Sequence, residues 1–597
     1  MTADFLNKEG DASLGEPMDL EGKTVAELKD MLREQDLPVG GSKAQLMERL
    51  QANSGEATVV NLDEEVKDGS TGDLLDDVPW WRSTDVLTPQ ALTAIGVVVL
   101  MIAAAFVFRP TWLGFAPNYE YELIDFDQDQ ARLFAEELVS YGHPDWEGRM
   151  SGTTEEANVS AYIEAQFKAM GMSTTLHSYQ VPMHHVNAEP SLRICVPGLN
   201  GLSVCEGFGS FGSQVTQFQH RVDYVIQGFS GRSDYTFNDE VPVTDLGNGS
   251  DEALWSAASG TIGYVRSGGT VTGNTDLFSL AAENDLAGLI RVNKNYNCGK
   301  IEGNDCVPIF KGTGIDDVKA ANGGSIPSEL PFIAMSKDAG EMLESLIFNA
   351  TGQPGVLEML IDVTNDQERT IYVPCGEIRG ASSEVVIVGG HHDTVYHGQG
   401  AIDDTSGTAS VLELARQMSE VVNQTGKPDR TLRFCTWGGE EEGLYGSRAY
   451  VEAFQNSLKD NLRLYINLDM NHVDADFSNR GNSLTLFGND AEDVAHVTRI
   501  TELYQNKRSE VADRYEIRIA TLDGAKGDPD GMPYNSDHGP FVYDLGSERG
   551  RAVVCYGSGS WEYHTYLDTL DRFNEESLGV SVTIYGTYMR FLAYSDD

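Results

Sequence analysis

The chain has 597 residues, of which 41% are hydrophobic and 22% charged, and a formal net charge of −50. Such a length exceeds what one core needs, so several domains are expected. The acidic balance excludes nucleic acid and anionic lipid as partners of the bulk surface and suits solubility in a salty medium. No internal repeat is visible at solenoid periods.

Residues 1–17 read as disordered. From Leu20 to Leu32 the chain carries a capping box, Thr24 with Glu27 three residues on, and Leu37-Pro38-Val39-Gly40-Gly41-Ser42 supplies a turn before a second amphipathic stretch, Lys43 to Leu50. The pair, residues 18–53, resembles a SAP motif, a small helix–loop–helix whose relatives often bind DNA. Phosphate contact needs a cationic face, yet Lys23, Lys29, Arg33, Lys43 and Arg49 are set among seven acids between Asp19 and Glu48. A protein-docking or purely structural pair is therefore expected ahead of DNA binding. Residues 54–88 follow as an acidic linker, rich in Gly, Ser and Asp over 54–79 and expected to be disordered there.

Ala91 to Phe108 is almost unbroken in apolar character, with Trp80, Trp81 and Trp112 as interfacial anchors and Arg109-Pro110 behind it. The segment 89–110 is expected to be a transmembrane helix, an uncleaved signal-anchor too far from the amino terminus for a cleaved signal peptide. All seven cysteines follow it, and the close pairs Cys195/Cys205 and Cys298/Cys306 are candidate disulfides of an oxidising compartment. The expectation is a single-pass membrane protein with a cytoplasmic amino terminus and an extracellular remainder. An odd cysteine count leaves at least one free thiol, expected at Cys435 within a central strand.

The richest chemistry lies further on. Glu384 to Gly390 reads as a buried strand that delivers Gly389-Gly390-His391-His392-Asp393-Thr394 at its carboxyl end. Gly400 to Gly407 then contains Asp403-Asp404 and leads into an amphipathic helix from about Ser410 to Val422. A strand from Thr431 to Thr436 ends in Trp437-Gly438-Gly439-Glu440-Glu441-Glu442-Gly443. Another, Leu462 to Asn467, ends at Asp469, and Ala552 to Tyr556 leads to Tyr563-His564-Thr565 and Asp568. In an open α/β sheet the site lies beyond the carboxyl ends of the strands, so these distant segments can meet in one crevice. A strand end also aims consecutive side chains apart, so one glutamate can bind a cation while its neighbour acts as base. The pool of His, Asp and Glu suits two zinc ions about 3.5–4 Å apart sharing one carboxylate.

On these motifs the chain resembles the co-catalytic zinc exopeptidases of metallopeptidase family twenty-eight, over roughly residues 125–597. The resemblance implies an α/β fold with a mixed, mainly parallel sheet flanked by helices, built from residues 120–214 and 351–597, and two Zn(2+) per chain. It makes His391 and Asp469 ligands of one zinc, Glu441 and His564 ligands of the other, and Asp403 the bridge. Glu440 becomes the general base and Asp393 the partner that orients His391. Asp537 and His538, in a loop resembling one that lines the pocket of many aminopeptidases, and Tyr563 are implied substrate-binding residues. His392 and His397 receive no role. Where the family commonly has Asn after the bridging aspartate, this chain has Asp404. With Gly398-Gln399-Gly400-Ala401 that resembles the plasma-type glutamate carboxypeptidase branch. The chain ends about thirty residues after His564, so dimerisation through the helical domain of prostate-membrane-antigen-like relatives is not expected.

Residues 215–350 change rhythm: Gly260 to Arg266, a helical Phe278 to Asn284, Ala287 to Asn293 and Ile326 to Ser336. This β-rich segment resembles a protease-associated (PA) domain and carries none of the expected ligands, so its effect is expected on substrate access. The expected activity is zinc-dependent removal of a terminal residue from short peptides, in the first place as an aminopeptidase. Carboxypeptidase or dipeptidase action, glutaminyl cyclisation by a single-zinc relative, and a catalytically silent tether or receptor remain open.

Overall fold

In a computed structural model the chain divides into Met1–Pro117 and Asn118–Asp597. The structure describes residues 120–597 apart from 198–204, 206–212, 267–272, 295, 302–305, 349–352, 475–480, 547–548 and 596–597, with Lys23 and Met31 alone before them. The SAP-like pair, the acidic linker and the apolar segment 89–110 thus lie outside the described residues. One expectation is corrected here. Among the described residues no helix is long and apolar enough to cross a membrane, so the transmembrane helix in the expected fold class, and the single-pass localisation built on it, are withdrawn. Hydropathy and flanking Trp and Arg residues carried that expectation, and eighteen apolar residues sit at the short end of a span.

The largest sheet is mixed and eight-stranded. Its strands are β1 (Ser173–Val186), β2 (Val363–Ile378), β3 (Val385–His391), β4 (Thr431–Trp437), β5 (Leu462–Leu468), β6 (Ser483–Gly488), β7 (Glu516–Thr521) and β8 (Ala552–Gly557), in spatial order β1-β2-β4-β3-β5-β8-β6-β7. The centre, β4-β3-β5-β8, is parallel, with His391 opposite Trp437 and Gly389 opposite Asn467. Four parallel strands side by side bring their carboxyl ends to one edge, which is where the sequence places its candidate ligands.

Every residue of β3 is buried, as expected for a strand covered by helices on both faces. Helices α1 (Gln128–Ser140), α2 (Thr154–Ala169), α3 (Thr405–Thr425) and α7 (Glu575–Tyr594) share one core with β3, β4 and β5. The other face packs Trp437, Tyr450, Tyr465 and Phe541, contributed in part by α4 (Tyr445–Asn461) and α6 (His538–Tyr543). Helix α5 (Ala491–Lys507) flanks the β6–β7 end of the sheet through contacts with both strands.

Between β1 and β2 the chain builds two further sheets. One has four strands, Gln214–Phe218, Ser191–Val196, Val356–Ile361 and Ser233–Tyr235. The other has five, Tyr224–Ile226, Phe332–Met335, Gly288–Val292, Ile262–Arg266 and Val243–Asp245. Their core includes Val395 and Tyr396 from the loop after β3, and the Tyr396 hydroxyl accepts from Ile226 N at 3.0 Å. The inserted sheets are therefore seated directly on the loop that leaves the strand ending at His391.

Disulfides join Cys195 to Cys205, Cys298 to Cys306 and Cys375 to Cys435. The third corrects the expected free thiol. Cys375 of β2 and Cys435 of β4 are directly paired across the sheet, a contact hidden by their separation of 60 residues. The buried free cysteine is Cys555.

Candidate metal centre and active site

Two buried histidines face one carboxylate. Asp403 places Oδ1 3.1 Å from His391 Nε2 and Oδ2 3.0 Å from His564 Nε2. His564 Nε2 is also 2.6 Å from Glu441 Oε2, and His391 Nε2 stands 3.8 Å from Glu440 Oε2 and 3.9 Å from Asp469 Oδ1. Each Nδ1 donates to a main-chain carbonyl, His391 to Asp393 O at 3.1 Å and His564 to Phe310 O at 2.9 Å. With Nδ1 protonated, a neutral ring turns the lone pair of Nε2 onto carboxylate oxygens, acceptor against acceptor. Only a proton or a cation relieves that arrangement.

The electrostatics point the same way. Burial opposes charge on both rings, yet Glu440, Asp393 and Asp403 outweigh it and raise His391 well above the usual imidazole range, and Glu441 and Asp403 raise His564 to about 9. Burial, then Asp403 and Glu441 nearby, push Asp469 up to about 6. Burial, then Asp469, Asp537 and Glu441, push Glu440 well above its ordinary value. A crowd of buried carboxyls around two imidazoles is an excess of negative charge that bound dications offset.

The ligand atoms fall into two groups: His391, Asp404 and Asp469, and Asp403, Glu441 and His564. Asp404 is occupied otherwise. Its Oδ2 accepts from His391 N at 3.0 Å, and its Oδ1 accepts from Gly407 N at 2.8 Å and Met470 N at 2.9 Å. It caps α3 and ties the ends of β3 and β5 together. That leaves Asp403 as the carboxylate between the histidines, held in turn by Asp568, whose oxygens accept from Ile402 N at 2.7 Å and Asp403 N at 3.0 Å.

Asp393 faces His391 Nδ1 at 3.4 Å and accepts from Glu440 N and Glu441 N at 3.4 and 3.3 Å, so it also holds the loop that presents both glutamates. Ser536 donates to Asp469 Oδ2 at 2.5 Å. A cavity of about 340 Å³ opens onto the centre, lined by Asp403, Glu440, Asp469, Tyr563 and, among others, Tyr296, Tyr556 and Trp561. Tyr563 stacks on His564 with centroids 3.7 Å apart.

Asp537 and His538 are fully buried and do not line this cavity. Burial pushes the Asp537 carboxyl to about 8, and His538 Nε2 donates to Pro533 O at 2.7 Å. His392 is paired with Glu156 at 3.1 Å and Thr436 at 2.9 Å. His397 is buried with neither ring nitrogen hydrogen-bonded among the described residues.

Sequence reasoning missed Tyr296 and the Phe310 carbonyl, both from the inserted segment, and Arg149. Buried Arg149 donates to His392 O at 3.1 Å, Gln399 O at 2.9 Å and Thr405 Oγ1 at 2.8 Å. None lies in a recognisable motif, and a carbonyl carries no residue identity at all.

Residues 375–587 match the model of peptidase family M28, and residues 19–53 match the SAP domain. An aminopeptidase of Pseudomonas aeruginosa (strain UCBPP-PA14) is 28% identical over 233 residues, 38% of this chain and 41% of that one. An aminopeptidase of Mus musculus is 30% identical over 232 residues, covering 36% and 30%. A glutamate carboxypeptidase 2 homolog of Caenorhabditis elegans is 42% identical over 97 residues, covering 16% and 12%. The chain thus spans less than half the length of these relatives. Among solved structures, an aminopeptidase from Aneurinibacillus sp. strain AM-1 aligns with a TM-score of 0.51 at 22% identity, over 79% of this chain and 95% of that one. A zinc aminopeptidase from Bacillus subtilis aligns with a TM-score of 0.54 at 16% identity, over 80% and 97%. At these identities the likeness is one of fold.

Proposed function

We propose, from the premise that residues 375–587 form a domain of peptidase family M28, that the chain is a zinc-dependent exopeptidase taking the terminal residue from short peptides, in the first place an aminopeptidase. The observation that carries this reading is Asp403, with one oxygen turned to each histidine and Glu440 at the wall of the same cavity. His391 and Asp469 would hold one zinc, Glu441 and His564 the other, with Asp403 between them, a donor set of nitrogen and oxygen that suits this metal. Zinc bound there supplies Lewis acidity and a water acidic enough to ionise near neutral pH.

The chain's own groups do the rest. Glu440, at the wall of the cavity, accepts a proton from the attacking water and returns it to the leaving amine nitrogen. Asp393 keeps His391 in the Nδ1–H tautomer and fixes the two glutamates relative to it. The Phe310 carbonyl does the same for His564. The wall of Tyr296, Tyr556, Trp561 and Tyr563 surrounds the substrate and displaces water from the reacting bond.

The test is hydrolysis of free and end-blocked di- and tripeptides by the full-length chain, with metal content measured on the same sample. Expected are about two zincs per chain, a need for a free amino terminus, and a loss of about 100-fold or more in kcat for Glu440→Gln with its metal retained. Full activity in that variant, or a preparation that binds no metal, would sink the proposal. A need for a free carboxyl terminus alone would make the enzyme a carboxypeptidase.

A further inference from the structure

Beside His391 stands a second histidine, His392, for which the proposed chemistry has no use. Its side chain is fully buried and joins a helix to a strand. Nδ1 lies 2.9 Å from Thr436 Oγ1 of β4, while Nε2 lies 3.1 Å from Glu156 Oε1 and 2.9 Å from Ser160 Oγ, both of α2. A carboxylate on that side calls for the ring proton on Nε2, so in the neutral ring Nδ1 accepts from the Thr436 hydroxyl.

Glu156 is equally buried, and its Oε1 is the point where four elements meet. It projects from α2, accepts from Tyr372 N of β2 at 2.9 Å and faces His392 just beyond β3. The fourth element is the loop that presents Glu440 and Glu441. At its first residue, Gly438, an added Cβ would come within 2.7 Å of Glu156 Oε1 and 3.4 Å of His392 Nε2. The main chain therefore rests on this pair two residues before Glu440. Beyond that point Gly439 N donates to Ser151 Oγ at 2.5 Å, and Glu440 N and Glu441 N donate to Asp393. Glu156 Oε2, by contrast, has no hydrogen-bond partner among the described residues. A buried carboxylate left half-satisfied is a poor source of stability, and an apolar pair of similar shape would serve the fold as well or better. What the polar pair adds is a fixed position, set by short directional contacts.

We infer that His392 and Glu156 are positioning residues for the reaction: together they set the loop at Gly438 against the end of β3, and so the place of the Glu440 carboxylate relative to His391. This rests on the exopeptidase reading above and adds two residues to it. Neither side chain lines the cavity, so their effect passes through the loop and the strand ends. A reacting group misplaced by about 1 Å can cost about 100-fold in rate.

The experiment measures kcat and KM of the zinc-loaded full-length chain on whichever free di- or tripeptide the wild type cleaves fastest. It compares the wild type with His392→Leu, His392→Gln, Glu156→Met and the double variant His392→Leu/Glu156→Met, each well below its own Tm, with zinc content determined on the same samples. His392→Leu and Glu156→Met are each expected to lower kcat by about 10- to 100-fold with KM within about twofold and zinc retained. His392→Gln, whose amide can still donate to Glu156, should recover most of kcat. The double variant separates position from stability: its apolar pair should restore Tm toward that of the wild type while kcat stays as low as in either single variant. Should the single variants fail to fold, the double variant decides alone. A double variant that regains kcat together with Tm, or single variants with unchanged kcat, overturns the inference, because the pair then only supports the fold. A loss of zinc that accounts for the loss of rate, or a rise in KM with kcat kept, overturns it too. If the zinc-loaded wild type cleaves no peptide, the exopeptidase reading fails first and the inference with it.

Discussion

His184 sits between the rings of Phe229 and Phe310, centroids 5.1 and 6.0 Å away, with neither nitrogen hydrogen-bonded among the described residues. Burial, with His185 and Arg369 adding to it, lowers its pKa to about 3. The unfolded chain binds this proton near pH 6.5 and the folded one does not, so His184 favours the fold above pH 6.5. That advantage is lost as pH falls toward about 3, at about 1.4 kcal/mol per unit. Replacing His184 with Leu should therefore narrow the stability lost between pH 7 and pH 5 by about 2 kcal/mol, read from denaturant midpoints; equal losses in both proteins would refute the assignment. At this same scale the sequence singled out His391, Glu440, Glu441 and Asp469 as candidates, because each lies at or just beyond a strand end within a short motif. It could not single out Arg149, whose importance comes from what it touches. Cys435 was misread for the same reason, its partner lying on another strand.

The start of α3 decides how the centre is held. The helix begins at Thr405, earlier than apolar periodicity suggests, because Asp404 caps it through Gly407 N. Gly407 lets the first turn press on the end of β5, where an added Cβ would lie 2.0 Å from Leu468 O. Arg149 fastens the same region from the other side, joining the loops at 392 and 399 to the first turn of α3. Burial lowers its guanidinium to about 10, with Asp393, Asp568 and Asp404 opposing, so it stays charged. Removing it strands acceptors and leaves acids without their counter-charge. Arg149→Met should cost about 3–5 kcal/mol in a denaturation experiment and weaken zinc retention in dialysis. A cost below about 1 kcal/mol with zinc unchanged would show that the three loops hold their places unaided. The central strands were legible almost to the residue, since short runs rich in β-branched, aromatic and Leu residues that end at Gly or at a polar motif read the same in sequence and in space. Their lateral order was not, because it depends on pairings with no local signal.

For the molecule as a whole, the proposed metal ligands come from four separate connections and the inserted segment adds the carbonyl behind His564. Chelation is therefore expected to abolish activity and lower Tm while leaving far-UV dichroism nearly unchanged, because the apolar cores are extensive and do not pass through the site. At a free zinc concentration 100 to 1,000 times Kd, the stabilisation lost is about 3–4 kcal/mol. Restored zinc should recover both activity and Tm; an unaltered Tm on chelation would mean that the site does not couple to folding. The amino acid sequence by itself determined the parallel centre of the sheet and the chemical type of each ligand, because strand runs and strand-end motifs are local. Only the tertiary structure decided that Asp404 caps a helix and joins two strand ends, that Cys375 pairs with Cys435, and that the Phe310 carbonyl of the inserted segment stands behind His564. Those facts are contacts between residues far apart in the chain, and a contact exists only once the chain has folded.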